Sequence, residues 1–350
     1  MSKQKSMRYD QHDYEALMAS SIPASLVSTP GMRFDDAEDA SVFFARELDY
    51  VKSQSYDVEY PEFTALSLFP QSSEVDPGAE TITYYSYDKT GFAKIISNYA
   101  TDLPRADVKG KPTTAIIKSI GDSYGYSIQE MRASRMAGKS LDTRKAESAR
   151  YQIDYLTNKI AWNGDKETGL RGVLSEENDV PVYTIANNAA QSSTKWKDKT
   201  EDEILADITG MLSQVARTTK KVEKPDTLAI PAEAYLVLQN RRIDGTDSNV
   251  LSYIQKNIKD IKEIVSCPEL DPDSVDTNPY AKDGEQAAQG KGVALLFKKD
   301  PRKLTIEIPL PFMQYPVQTQ GLEMVVPCET RTAGAIIYYP LSLLIAPGIC

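Results

Sequence analysis

The stretch that most constrains how this chain can fold is its closing segment, which is apolar, β-prone and rich in proline. Leu304 and Ile306 alternate with polar residues and predict a strand, and residues 322–326 predict a second strand. Beyond Glu329 the only charged residue is Arg331. Because chain ends are usually polar and frayed, we predict that this segment is held inside the body of the fold.

The composition is that of an ordinary globular protein, with 350 residues, 41% hydrophobic and 26% charged. This length allows two domains, each able to bury a core. No apolar run reaches the roughly 18 residues of a membrane-spanning helix, and the N-terminus lacks a signal-peptide core. Cys267, Cys328 and Cys350 have no metal-binding spacing and predict no disulfide framework, which fits a reducing, cytosolic environment.

The net charge of −10 argues against a protein that holds nucleic acid by a dominant basic surface. It leaves open a container whose inner wall faces nucleic acid. The short basic runs Lys220-Lys221 and Arg241-Arg242 lie at predicted helix ends, where they complement the helix dipole. This interpretation is favoured over anion binding. The 20 tyrosines suit protein–protein contact or half-buried sheets equally well.

Residues 60–126 have the pattern of a long β-hairpin. Residues 81–87 predict a strand, 88–91 a turn, and 92–99 and 113–120 further strands. The polar stretch between these last two strands, with Pro104 and Gly110, would form the tip. A two-stranded hairpin is marginal alone, so we expect it to lie against another surface.

Two helices are predicted next. Ser127 and Glu130 form a capping-box signature that opens the first, and residues 138–140 interrupt it. A longer helix spans 141–163, and Gly164 is placed to cap its end. Its predicted buried stripe contains residues at helical spacing, namely Ala146, Ala149, Ile153, Leu156 and Ile160.

From about Pro181 the pattern becomes a mixed α/β unit. A second capping box, Thr200 with Glu203, opens a helix, and Pro231 suits the first turn of another that ends near residues 241–242. Residues 249–258 predict a further helix. Short strands are predicted at 227–230, 261–265 and 293–297, and residues 271–289 predict an exposed loop.

Most known catalytic constellations are missing. The only histidine is His12, in an N-terminal region without sustained periodicity, which removes most nucleophilic triads and His-based metal centres. Neither phosphate-binding glycine motif occurs. We therefore assign no catalytic, cofactor-binding or metal-binding residue, expect no cofactor, and predict a protein that is not an enzyme. An acidic hydrolase using carboxylates remains a third alternative.

The order of these elements resembles the Hong Kong 97-type fold of tailed-phage major capsid proteins, an α+β fold also found in encapsulin shells. The resemblance to a prophage major-capsid family is carried by five segments with their spacing. They are residues 81–105, 118–126 with the helix after it, 164–174, 226–238 and 304–348.

The resemblance implies a division of the chain. The spine helix would be 141–163, and the hairpin would overlap an adjacent subunit. The implied parts are an N-terminal arm at 1–38, a helix and lead-in strand at 39–61 (helical at 39–51, with Val42, Phe43, Ala45 and Leu48 near one face), an extended β-hairpin at 62–126, a peripheral domain at 127–180, an axial domain at 181–300, and return strands of the peripheral domain at 301–350.

The resemblance also implies a function. The chain would self-assemble through pentamers and hexamers into the icosahedral head shell of a virion, enclosing double-stranded DNA without sequence-specific binding. Assembly would occur in the host bacterial cytoplasm, away from membranes, with a separate scaffold, a portal and decoration proteins. An encapsulin-like compartment is the alternative. Hairpin lysines such as Lys109 and Lys111 are interpreted as solubilising, not crosslinking.

Overall fold

A computed structural model describes residues 62–91, 93, 95, 105–138, 142–245, 247–281 and 291–350. The predicted arm at 1–38 and the predicted helix and lead-in strand at 39–61 lie outside the described residues. Of the predicted strand at 92–99 only Ala93 and Ile95 are described, and neither has strand structure.

The predicted hairpin is a long two-stranded ribbon. Strand β2 (Thr81–Thr90) pairs antiparallel with β3 (Asp107–Ile116) along all ten residues of each strand. The predicted turn at 88–91 is wrong for residues 88–90, because the ladder continues through them to the pair of Thr90 with Asp107. Tyr87 lies across the strand from Gly110, where a Cβ would come within 3.0 Å of its ring.

The strand predicted at 113–120 is divided between two sheets. Strand β3 ends at Ile116, and β4 (Lys118–Ser127) begins after the buried Ile117, whose N–H donates to the carbonyl of Glu80. In the second sheet β4 pairs along its whole length with β13 (Glu323–Thr332), the strand predicted at 322–326. Two short strands complete this sheet on the other side of β13, namely β11 (Leu310–Gln314) and β12 (Gln318–Gln320).

The first of the two predicted helices opens with the predicted capping box. Between residue 62 and this helix, the described residues contain one other helix, the four-residue α1 (Ala65–Leu68). Helix α2 (Ile128–Ala137) starts where Ser127 Oγ accepts from the N–H of Glu130 and the Glu130 carboxylate accepts from the N–H of Ser127. It ends at Gly138, which has a left-handed φ of 65°.

The long helix predicted at 141–163 is confirmed as α3 (Asp142–Asn163), which we call the spine helix, and its buried face is partly different from the predicted stripe. Leu156 is 40% exposed, and the polar Thr157 and Asn158 are buried in its place. Thr157 bonds the carbonyl of Ile153, and Asn158 bonds the buried carboxylate of Glu269. Periodicity alone could not predict this, because the burial of these polar groups depends on distant partners.

A five-stranded sheet packs beside the spine helix. Its order is β1 (Gln71–Ser72), β10 (Leu304–Glu307), β14 (Gly334–Ile337), β6 (Leu170–Arg171) and β5 (Gly164–Asp165). The strand predicted from Leu304 and Ile306 is therefore confirmed as β10.

Gly164 joins the spine helix to this sheet. It follows α3 directly with a φ of 77°, and a Cβ there would lie 2.5 Å from the carbonyl oxygen of Leu170. Glycine is therefore required both for the left-handed backbone and for the close approach of the two segments.

A four-stranded sheet forms the third layer. Its order is β15 (Leu343–Pro347), β9 (Val293–Phe297), β7 (Thr227–Ile230) and β8 (Glu263–Ser266), so the three strands predicted in this region are confirmed. We call this sheet with its three helices the lobe. The helices are α4 (Glu201–Thr218), opened by the predicted capping box, α5 (Ala232–Asn240) and α6 (Val250–Asn257).

Both faces of the lobe sheet are buried at the strands β7 and β9, which explains why these two strands are apolar at every position but Thr227. Strand β8 begins with the exposed Glu263. Leu228 and Leu296 pack toward the lobe helices, in a cluster with Ile204 and Ile208. Ala229 and Phe297 face the other way, into the core that holds the end of the spine helix.

The apolar chain end is buried as predicted, with Ile349 and Cys350 almost without exposure. The predicted boundary at residue 300 does not follow the sheets. Strand β10 lies in the five-stranded sheet, whereas β15 pairs with β9 inside the lobe. The segment 301–350 therefore connects two layers instead of returning to one.

The predicted exposed loop at 271–289 is described as far as residue 281. The prediction is wrong for Thr277 and Asn278, which are buried. The side chain of Asn278 donates to the carbonyls of Leu270, Asp271 and Lys291. It therefore satisfies backbone groups that a solvated loop would leave to water.

Candidate interaction surfaces

The described residues contain no candidate metal centre. Within the ranges given above, no group of three or more His, Cys, Asp or Glu side chains is placed to hold a metal ion, and His12 lies outside them. Burial raises the pKa of the Cys267 and Cys350 thiols to about 12. Because the thiolate is the reactive form, these two cysteines are not nucleophiles at neutral pH.

The first notable surface is the outer face of the ribbon. Alternation along β2 and β3 places Tyr85, Tyr87 and Val108 on one face. These side chains are 62%, 71% and 56% exposed. The rings of Tyr85 and Tyr87 stack with centroids 6.4 Å apart. The ribbon thus presents an organised aromatic strip that no described part of the same chain covers.

The ribbon is joined to the body at its base. The ring of Tyr84, on the opposite face from Tyr85, meets the ring of Tyr338 edge-on with centroids 5.0 Å apart. The guanidinium of Arg331 donates to the carbonyl of Pro77, just before the ribbon. These contacts fix the base, and the ladder between β2 and β3 extends beyond them.

A polar cleft of about 340 Å³ lies between the ribbon base and the body. Lys111 and Arg171 line it together with Glu177 and Asp179. Burial raises the pKa of the Tyr338 phenol beside it. The cleft mixes both signs of charge, so it does not select a ligand of one charge.

The second notable surface is an apolar groove of about 740 Å³ between helix α2 and the sheet of β4 and β13. Helix α2 has no buried side chain at all, and an isolated helix of ten residues is marginal in water. The groove is lined by aromatic, Met, Pro and Val side chains with a few polar neighbours: Tyr124, Tyr126, Met131, Ser134, Arg135, Gln314, Tyr315, Pro316, Val317, Met324 and Val326.

Hydrogen bonds fix the rim of this groove. Tyr315 donates to the carboxylate of Glu329 at 2.7 Å, which lowers the pKa of Glu329 and raises that of Tyr315. The ammonium of Lys145 lies over the ring of Tyr126, a groove residue, and donates to the carbonyl of Gly125 at 2.8 Å and to Glu130 at 3.1 Å. The groove walls are therefore held in place before anything docks.

Sequence reasoning found the ribbon but missed the groove. The groove is built from three separate segments, around residues 124–135, 314–317 and 324–326. The available signal was the period-two spacing of Tyr124 with Tyr126 and of Met324 with Val326. It could not be used without knowing that β4 and β13 are neighbours.

Helices that could span a membrane are absent from the described residues: none is both long and apolar enough. The chain matches the family model described as "Major capsid protein" over residues 91–349. A search of curated proteins gives no match.

Solved structures share the fold at low sequence identity. The capsid of Myoviridae phage XM1 has a TM-score of 0.71 at 15% identity, covering 89% of this chain and 100% of that chain. The capsid of a native GTA particle has a TM-score of 0.60 at 8% identity, covering 91% and 100%. The structure titled Mycobacterium phage Ogopogo has a TM-score of 0.56 at 10% identity, covering 88% and 99%.

Proposed function

The chain belongs to the major capsid protein family, and on that premise we propose that its copies assemble through pentamers and hexamers into a closed icosahedral shell around double-stranded DNA. The proposed site of action is the virion, after assembly in the cytoplasm of a bacterial host. The role is structural and involves no chemistry by the subunit.

The observation that carries the proposal is the exposed aromatic strip on the ribbon. A two-stranded ribbon is marginal on its own, and unpaired strand edges are a liability that proteins normally cover. Packing of Tyr85, Tyr87 and Val108 against another copy would stabilise the ribbon, and a neighbouring copy at its edges would cover the unpaired backbone groups. The apolar groove beside helix α2 supplies a second surface that neighbouring copies would cover.

Multiplicity would make such an assembly strong. Each contact buries modest area, and a closed shell repeats it many times, so that the total greatly exceeds any one affinity. Head-to-tail contacts with a fixed rotation close into rings. We assign the lobe to contacts around the five- and six-fold axes, and the spine helix with its adjoining sheets to the periphery of each ring.

The ribbon provides the decisive test. The double variant Tyr85→Ser and Tyr87→Ser removes the aromatic strip without shortening the strands. The control changes Ser86 and Lys109, on the opposite face of the same strands, to Ala. Negative-stain electron microscopy and sedimentation should show rings or shells for the wild-type chain and the control, and unassembled, folded subunits for the double variant.

A deletion extends this test. Removal of residues 88–111, bridged by a short flexible linker, should leave a folded subunit that forms no shells. Normal shells from either the deletion or the double variant would contradict the proposed role of the ribbon.

The proposed partners include a separate scaffold, a portal and decoration proteins. Co-expression with neighbouring genes should therefore yield shells even if the chain alone stops at rings. Nucleic acid inside those shells supports the virion, whereas packaged protein cargo would favour an encapsulin-like compartment instead.

A further inference from the structure

One end of the lobe sheet collects most of the positive charge in this part of the molecule. Strands β7 and β8 begin at this end and β9 finishes there, since Thr227 pairs with both Glu263 and Phe297. The segments that flank these strand ends are residues 217–226, 256–263 and 298–303. We call these three segments together the basic end.

The charge of the basic end is opposite to that of the whole chain. Its three segments contain eleven Lys and Arg against five Asp and Glu, a net charge of +6, in a chain whose net charge is −10. The cations are Arg217, Lys220, Lys221, Lys224, Lys256, Lys259, Lys262, Lys298, Lys299, Arg302 and Lys303.

Within the part of the chain that the structure describes, four of these cations form an ion pair with a carboxylate. The strongest pair joins Lys303 to the buried Glu223 at 2.6 Å, and Lys262, Lys298 and Lys299 contact carboxylates at 3.4 to 3.9 Å. Among the described residues the other seven have no carboxylate within ion-pair distance. Those seven are Arg217, Lys220, Lys221, Lys224, Lys256, Lys259 and Arg302, and all are exposed.

Helix dipoles explain part of this charge but not all of it. Helices α4 and α6 end at this end of the lobe, and cations near a helix C-terminus are favourable. The segment 298–303 follows a strand and gains nothing from that effect. Lys220 and Lys221 have φ values of 51° and 65°, a left-handed backbone that Gly or Asn would adopt at lower cost.

The chemistry of the basic end indicates which polyanion it would bind. Its three segments contain no aromatic residue. The exposed ring of Tyr339 nearby has the Lys303 ammonium over its face, 4.1 Å from the centroid, which leaves that face poorly placed to stack on unpaired bases. Lysines predominate, and these flexible point charges suit a charged backbone better than the bidentate recognition that arginine provides. A duplex carries one negative charge per about 1.7 Å of its axis, so several lysines could be neutralised at once.

We propose that the basic end binds the phosphate backbone of duplex DNA, without reading its sequence, and therefore faces the interior of the shell. This inference rests on the proposed function, because only a shell would hold DNA against this surface. The negative charge of the rest of the chain does not prevent local contact, since interactions beyond about 10 Å are screened at 0.1 M salt.

The test compares two triple variants of the full chain with equal net charge. One changes Lys220, Lys224 and Lys259 to Gln, and the control changes the exposed Lys118, Lys166 and Lys291 to Gln. Fluorescence anisotropy follows the binding of a labelled mixed-sequence duplex of about 30 base pairs from about 50 to about 200 mM salt.

We expect the variant in the basic end to bind at least about tenfold more weakly, with a salt slope reduced by about 3, while the control stays near wild type. Changing the same three lysines to Arg should retain binding. Equal losses in both triple variants, or no binding by the wild-type chain, would overturn the proposal.

Assembly is scored separately by electron microscopy of the same variants. Normal shells with lost DNA binding support the inference and leave the proposed function intact. If the variant in the basic end keeps its DNA affinity but loses its shells, the surface contacts another copy of the chain and the DNA assignment is wrong.

Discussion

The ribbon and the lobe sheet are both built from β-prone segments, yet they differ completely in burial. Every residue of β7 and β9 is buried, whereas β2 and β3 present Tyr85 and Tyr87 largely to solvent. The same strand propensity in the sequence therefore occurs in a buried core sheet and in an exposed ribbon. Burial on both faces fixes the lobe sheet within its own subunit, whereas the exposed faces and edges of the ribbon leave it with few contacts in its own subunit, as expected if a neighbouring copy covers it.

This difference separates stability from assembly within one chain. Substitutions in the lobe should change the free energy of unfolding of the isolated subunit. Substitutions on the outer face of the ribbon should leave that free energy nearly unchanged and alter assembly instead. Variants that violate this division would show where the comparison fails.

The largest effect is expected at the buried ion pair under helix α4. Lys199 donates to Asp207 at 2.6 Å, and the indole N–H of Trp196 donates to the same oxygen at 3.1 Å. Burial raises the pKa of Asp207, although Lys199 acts in the opposite direction. Asp207→Ala leaves a buried ammonium unpaired and should lower the free energy of unfolding by about 3–5 kcal/mol, measured by urea denaturation with Trp fluorescence.

A double variant controls for the lost packing. Lys199→Met with Asp207→Leu replaces both charges by apolar groups, so it should recover part of the stability. The remainder, about 1–3 kcal/mol, is the cost of leaving the buried indole N–H of Trp196 without its acceptor. If Asp207→Ala alone cost less than about 1 kcal/mol, water or a rearranged partner would be solvating Lys199, and the lobe would be looser than its burial indicates.

A somewhat smaller effect is expected from a cavity in the lobe core. Leu296 is 1% exposed and packs toward the lobe helices, so Leu296→Ala should cost about 2–5 kcal/mol. The matched change on the ribbon, Tyr87→Ala, removes a larger side chain but should change stability by no more than about 0.5 kcal/mol. Both values come from chemical denaturation of the unassembled subunit.

The contrast between the lobe and the ribbon holds only if Leu296→Ala lowers the free energy of unfolding much more than Tyr87→Ala does. A loss of stability in Tyr87→Ala as large as that in Leu296→Ala would mean that the ribbon packs on its own subunit in solution.

The sequence was most predictive where local pattern and tertiary environment agree. Both capping boxes and the strands β7 and β9 lie where predicted, since Ser127, Thr200 and the apolar runs act within a few residues. It was least predictive where the extent of a strand or the burial of a side chain depends on a partner that is distant in sequence. The ladder carries β2 through residues 88–90, and Glu269 allows Asn158 to be buried while Leu156 stays exposed.

The two proposed assembly surfaces, the ribbon and the groove, follow the same rule. The ribbon could be predicted because a hairpin is local in sequence. The groove could not, because its walls come from β4, β13 and the segment around Pro316. Of the basic end, only Lys220 and Lys221 could be noted from the sequence, as cations at a helix end, since only the sheet order brings residues 217–226 and 298–303 together.

The smallest expected effect concerns the two capping boxes, one on the lobe helix α4 and one on helix α2 beside the groove. Thr200→Ala removes the cap of helix α4, whose inner face is buried, and should cost about 1 kcal/mol of global stability. Ser127→Ala removes the same cap from helix α2, which has no buried side chain. There we expect faster hydrogen exchange at residues 128–137 and an unchanged midpoint of global unfolding.

The carboxyls of the two capping boxes, Glu203 and Glu130, allow the same contrast between helices α4 and α2 to be measured through the pH dependence of stability. The backbone N–H of Thr200 lowers the pKa of Glu203, and that of Ser127, with Lys145, lowers the pKa of Glu130. A carboxyl with a lowered pKa in the folded state stabilises that state above its ordinary value of 4.5, and the gain is lost as the pH falls through the folded value. Acidification below that value should therefore reduce the global stability of the wild-type chain slightly more than that of Glu203→Gln, which lacks the titrating carboxyl, and should increase exchange in α2 without a global change. A change in global stability from Ser127→Ala would show instead that helix α2 is part of the cooperative core, and that the groove beside it is filled in the isolated subunit.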